Sequence, residues 1–111
     1  MNQPTAQATL EAMLDELELS VDELCRLAGV NPPWVQERVA LGVLSVVSAE
    51  GTHGAQGATE HWRFNAIALR RVRSMARLER DFDAVPELAA LVVDLEDEIA
   101  ALRAQLQRRT R

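Results

Sequence analysis

Leu10, Met13, Leu14 and Leu17 fall at helical spacing, which predicts a helix over residues 9–18 with Thr9 as its cap. A short strand over Leu17–Ser20 is the competing reading of the same stretch. The polar residues 1–8 are expected to fray. Ser20 and Glu23 make the S-x-x-E pattern of a capping box, in which a hydroxyl and a carboxylate each accept from the other residue's backbone N–H. A helix is therefore expected over Val21–Ala28, with Leu24, Cys25 and Ala28 inward and Gly29 at its end. Asn31 is placed to cap a second helix, with Pro32 at the first position, where a missing N–H costs nothing. Val35 and Val39 face inward with the stem of Trp34 or Arg38, and Gly42 terminates the helix. Two short helices around a Gly29-Val30 turn predict a helix-turn-helix.

The period then changes. LSVVSAE and TEHWRF read as two strands around a Gly-rich loop from Gly51 to Gly57, which predicts a small β-hairpin wing. Asn65 caps a third helix and Phe64 can staple onto Leu69. Leu69, Val72, Met75, Ala76 and Phe82 share one face of that helix, and Arg70, Arg73, Arg77 and Arg80 form a basic stripe opposite. Asp83 is placed to cap a final helix with Pro86 in its first turn. There Leu88, Val92, Leu95, Ile99, Leu102 and Leu106 repeat at alternating steps of four and three, the seam of a coiled coil. A seam this apolar must bury against the body of the domain or a second chain, so a homodimer is expected. Acids come first along it (Asp94, Glu96, Asp97, Glu98) and arginines last (Arg103, Arg108, Arg109, Arg111), which suits an antiparallel pair. Val92 and Ile99 at a with Leu95 and Leu102 at d suit a parallel one. The expected architecture is mainly α: a winged helix-turn-helix domain with an acidic N-terminal extension over residues 1–82, and a heptad helix for dimerisation or packing over 83–111.

Charge changes the picture of the partner. The 111 residues carry 12 arginines, no lysine and 17 acids, for a formal net charge of -5. An acidic domain is repelled at long range by duplex DNA. Glu11, Asp15, Glu16, Glu18, Asp22 and Glu23 all precede the first cation, Arg26, and offer either a solvated face or a docking surface for a basic partner. With 4% aromatics and no tyrosine, stacking platforms for bases are not expected. One cysteine excludes an internal disulfide framework, and Cys25 on an inner helix face reads as core. His53 and His61 lie eight apart and remote from Cys25, so neither a metal nor another cofactor is expected. No Ser-His-Asp, Cys-His or paired-carboxylate constellation points to an enzyme. No apolar run is long enough to span a bilayer, and the N-terminus lacks the basic start of a signal peptide, so a cytoplasmic protein is expected.

Helix-turn-helix, wing, helix and C-terminal coil is the order found in MerR-like regulators. The stretch Val35–Leu44 resembles their second helix, and Arg63 in Trp62-Arg63-Phe64 matches the basic residue of their wing. Where those regulators carry an Arg-Tyr-Tyr-Glu run, this chain has Gln36, Glu37, Arg38 and Val39. Over roughly residues 18–108 the chain more closely resembles the CbpM-type chaperone modulators. ELCRLAGV, VALGVL, TEHWRFNAIALRRVRSMARLERDFDAV and LAALVVDLEDEIAALRAQL carry that resemblance. It implies a small MerR-like protein that binds the J-domain of a DnaJ-like, CbpA-type co-chaperone and inhibits it. The J-domain surface that meets Hsp70 is basic, which fits an acidic partner. Expected contacts are Asp15, Glu16, Glu18, Asp22 and Glu23, with Trp34 and Glu37 on the helix-turn-helix. The alternative is a MerR-like DNA-binding regulator with helix 31–41 in the major groove. Only Gln36 and Arg38 there are of a type that reads base edges, which makes DNA binding the weaker expectation.

Overall fold

In a computed structural model the described residues are 16–47 and 59–110. They form four helices: α1 (Val21–Ala28), α2 (Pro32–Ala40), α3 (Ala66–Phe82) and α4 (Pro86–Arg109). Chain contacts divide into two compact units that meet within α3, between Arg73 and Ser74.

The first unit is built around the helix-turn-helix. The capping box forms as the sequence predicts: Glu23 N–H donates to Ser20 Oγ at 3.2 Å, and Ser20 N–H donates to Glu23 Oε1 at 2.9 Å. Helix α1 closes on Gly29, whose φ of 75° is left-handed, and the N–H groups of Gly29 and Val30 both donate to the Cys25 carbonyl. Asn31 caps α2 by accepting from Trp34 N–H at 2.9 Å. The end of α2 is a Schellman motif: Gly42, at φ 79°, donates to Val39 O, and Val43 N–H donates to Arg38 O. These caps satisfy the backbone groups that a helix of eight or nine residues leaves open, a large share of its total.

The core of this unit joins Leu19, Val21, Leu24, Cys25, Val35, Leu44, Phe64, Ala68 and Val72. Leu24, Val35, Phe64 and Val72 have no exposed area. Trp62 meets Phe64 edge-on, with ring centroids 6.3 Å apart. On α3, Asn65 accepts from Ala68 N–H at 2.9 Å, the expected cap, and Leu69 packs on the same core as Phe64.

Four sequence expectations are corrected. No helix reaches residue 18: residues 16–18 are non-helical, and residues 9–15 lie outside the described residues. The competing strand survives as one antiparallel bridge, Leu19 with Phe64, closed by reciprocal hydrogen bonds of 2.7 and 2.8 Å. The two wing strands do not form among the described residues, and the loop from Gly51 to Gly57 lies outside them. Just before the first arm, Val43 closes the α2 terminus: its N–H donates to Arg38 O and its carbonyl accepts from Arg71 Nε at 2.8 Å. At the end of the second arm, Phe64 spends both its backbone groups on Leu19. Between the described parts of the two arms, Val47 N–H donates to Arg63 O at 2.8 Å. Asp83 does not cap α4. It sits at φ 55°, and Val85 is the N-cap without a side-chain bond, although Pro86 does occupy the first turn. Finally, Phe82 is 74% exposed, beyond the apolar face assigned to it, and Ala68 takes a buried place that the sequence reading missed.

In the second unit Met75, Ala89, Ala90 and Val93 are buried. Small residues dominate the buried side of α4, and the larger apolar residues point elsewhere.

Candidate partner-binding surface

Three surfaces hold the residues that the sequence singles out. The first is the acidic approach to α1. Glu16, Glu18, Asp22 and Glu23 are all exposed, and Asp15 lies outside the described residues. Glu23 differs from the others because it is part of the capping box. The Ser20 backbone N–H, then the Ser20 hydroxyl, hold its carboxyl below the usual carboxylate range. Its charge is stabilised by the fold, whereas Glu16, Glu18 and Asp22 form no ion pair with a described residue. Three acids therefore remain available to an incoming cation.

The second surface is α2. Residues four apart on a helix are neighbours, so Trp34 and Arg38 share a face. The Arg38 guanidinium lies 4.1 Å from the centroid of the Trp34 ring. It also donates to Trp34 O at 3.3 Å and to Glu37 Oε1 at 2.7 Å. Arg38 is buried, with the stem of Trp34 also packed on the core, while Glu37 stays exposed. This overturns the use of Arg38 as an outward base reader: its charge is turned inward and matched by Glu37. The exposed positions of α2 are Pro33, Glu37 and Ala40, with Gln36 partly covered. Their partial net charge is not cationic. The stacking of Arg38 on Trp34 was legible in the four-residue spacing, although sequence alone left open which of the two would turn inward. Arg63, which the sequence matched to the basic residue of a wing, is half-buried and donates to the Glu60 and Trp62 carbonyls at 3.0 and 2.8 Å.

The third surface is the seam of α4. Leu88, Leu95, Ile99, Leu102 and Leu106 are exposed, each by about half or more, and Val92 is half-buried. The side of α4 that the single chain covers is Ala89, Ala90 and Val93, one position off the seam. Leu91 and Val85 add to the exposed apolar area.

Other chemistry is sparse. Burial pushes the Cys25 thiol up, and Asp22 adds to the shift, which keeps the sulfur protonated and a poor nucleophile. Among the described residues no three His, Cys, Asp or Glu side chains are grouped to hold a metal ion; His61 is exposed and His53 lies outside them. Among the described residues no helix is long and apolar enough to cross a membrane.

No curated protein matches the chain. A family does: residues 19–111 match the sequence profile described as MerR HTH family regulatory protein. The match begins at the Leu19 bridge and runs through the helix-turn-helix, α3 and the seam helix, so the chain belongs to the MerR HTH regulatory family.

Proposed function

We propose that this chain is a non-enzymatic chaperone modulator that binds and inhibits the J-domain of a DnaJ-like, CbpA-type co-chaperone, and that it acts as a cytoplasmic homodimer. The observation that carries this reading is the inward turn of Arg38. A regulator that reads DNA through its second helix needs outward donors in the major groove. Here α2 turns its one arginine onto Trp34 and leaves Pro33 and Glu37 outside. An acid at the groove face is repelled by phosphate and has few partners among base edges. The same α2 surface suits a basic protein, as do the exposed Glu16, Glu18 and Asp22. The resemblance to CbpM-type modulators names the J-domain as that basic partner.

The homodimer rests on the α4 seam. Burying an exposed leucine or isoleucine contributes roughly 1.5–3 kcal/mol. Five such residues per chain are enough to offset an association cost of about 4–15 kcal/mol. An antiparallel pair sets Asp94, Asp97 and Glu98 against Arg103, Arg108 and Arg109 of the other copy.

The test is the Hsp70 ATPase stimulated by a CbpA-type J-domain. Added chain is expected to abolish the stimulation and to co-elute with the J-domain in gel filtration. Undiminished stimulation at saturating excess, together with a nanomolar sequence-selective DNA shift, overturns the reading in favour of a DNA-binding regulator.

A further inference from the structure

The outer row of α2 has a chemistry of its own. Pro33, Glu37 and Leu41 follow one another at steps of four, so they form a single ridge along the helix. The ridge runs on through the cap, because Leu41 keeps helical dihedrals and donates its N–H to Glu37 O at 2.9 Å. All three residues are exposed, as is Ala40 beside Glu37, and Leu41 leaves 46% of its surface open. Trp34, half-buried, lies two turns from Leu41 on the same edge. Val35 and Arg38 turn inward. The row is therefore apolar at both ends and carries one acid at its middle. Arg38 holds that carboxylate at 2.7 Å, yet the Glu37 side chain stays 61% exposed and open to a second cation. Exposed apolar residues that adjoin one another mark an interaction surface, whereas isolated ones do not.

We propose that this ridge docks an amphipathic helix of a partner protein, with a lysine or arginine set between apolar side chains. The ridge itself selects that occupant. A DNA backbone presents phosphate to Glu37 and leaves Pro33 and Leu41 without apolar contact. A second copy of the chain, related by a two-fold axis through the ridge, sets Glu37 against its own counterpart. A basic amphipathic helix meets both demands. Its grooves take a ridge of residues four apart, the commonest helix packing, and its cation meets Glu37 at the centre. The apolar residues around that pair exclude water from it. Leu41 is then the apolar anchor, a residue to which the sequence pattern assigned no role. Naming the J-domain as the owner of the docked helix rests on the proposed function; the chemistry of the ridge does not.

Fluorescence anisotropy on the full chain tests this with three labelled helical peptides. The first has lysine flanked by leucines on one face. The second has the same composition shuffled around the helix, and the third has glutamate in place of lysine. The first is expected to bind at least tenfold more tightly than either of the others. Leu41→Gln is expected to lose at least fivefold of that affinity, and Ile67→Gln, at a still more exposed apolar position on α3, to lose none. If Leu41→Gln melts lower than the parent, Ala40→Gln crowds the same row from another exposed position, and the same loss is expected. The proposal is overturned if the first peptide binds no more tightly than either of the others, or less tightly than a DNA duplex. Undiminished binding by both α2 variants, or an equal loss in Ile67→Gln, overturns it as well. An excess of CbpA-type J-domain is expected to displace the first peptide. A peptide that binds tightly and is not displaced keeps the docking ridge and removes the J-domain as its occupant, so the two readings fail separately.

Discussion

The guanidinium of Arg38 lies 4.1 Å above the Trp34 ring and, from there, reaches Glu37 at 2.7 Å. Arg38→Met keeps the stem and removes the charge, so it separates packing from electrostatics. The stack is worth about 0.5–2 kcal/mol and the charged hydrogen bonds add to it, so a loss of roughly 1–3 kcal/mol is expected. Arg38→Lys is expected to recover little, because a lysine cannot stack and fork together. Urea denaturation followed by circular dichroism measures both. A methionine variant as stable as the parent would show that the stack is incidental.

Ser20→Ala removes the hydroxyl half of the capping box and is expected to cost about 1 kcal/mol. The carboxyl half makes a pH signature. Glu23 is held below its ordinary value in the folded chain, so its contribution is fully present above the unfolded Glu value and is lost as pH falls through the lowered folded one. Thermal melts between pH 7 and pH 3 are expected to show a shallower acid-side decline for Glu23→Gln than for the parent. Ser20→Ala is expected to keep most of that decline, since the backbone N–H of Ser20 is the larger cause. Identical acid limbs in parent and Glu23→Gln would remove the box as its source.

Gly42 adopts φ 79° with open space where a Cβ would stand. Gly42→Ala is therefore expected to cost about 1–2 kcal/mol from backbone strain alone. Gly42→Asn, which tolerates the left-handed region better, is expected to cost less. A reversed order in denaturant midpoints would mean that the α2 terminus relaxes to a right-handed turn.

The exposed seam predicts a particle of twice 12.3 kDa by light scattering. Leu95→Asp with Ile99→Asp is expected to give monomer while leaving the melting of the helix-turn-helix unit near that of the parent. A parent chain that scatters as a monomer at micromolar concentration is incompatible with the dimer.

Reversing Asp15, Glu16 and Glu18 to Lys is expected to slow J-domain association and flatten its salt dependence. Charges at the rim of an interface act chiefly on the approach. At the exposed Glu16 and Glu18 the reversal is expected to change stability by no more than about 0.5 kcal/mol. Stopped-flow association at two salt concentrations reads it, and unchanged rates would move the contact to the acidic Asp94–Glu98 stretch or to the α2 surface around Trp34 and Glu37.

Local chemistry made much of this fold legible. Ser20-x-x-Glu23, Gly29, Asn31-Pro32 and Gly42 each settle a helix end through atoms at most five residues away, so α1 and α2 follow from adjacent residues alone. The α4 helix was equally readable, because its period is a property of one segment. The wing was not. Alternation in LSVVSAE and TEHWRF is a local signal, but whether two segments pair depends on which distant groups compete for their backbone. Here Phe64, at the end of the second segment, gives its backbone groups to Leu19, 45 positions away. The direction in which Arg38 points was also beyond the sequence, since an arginine four residues from a tryptophan can serve a groove or a core. Packing decided it: once Val35 and Leu24 were fully buried, the Trp34 ring and the stem of Arg38 lay against that core, with Glu37 placed to match the charge. Residue order along a helix sets which side chains are neighbours; only the tertiary structure decides which of them face water, because burial is a property of the whole surface.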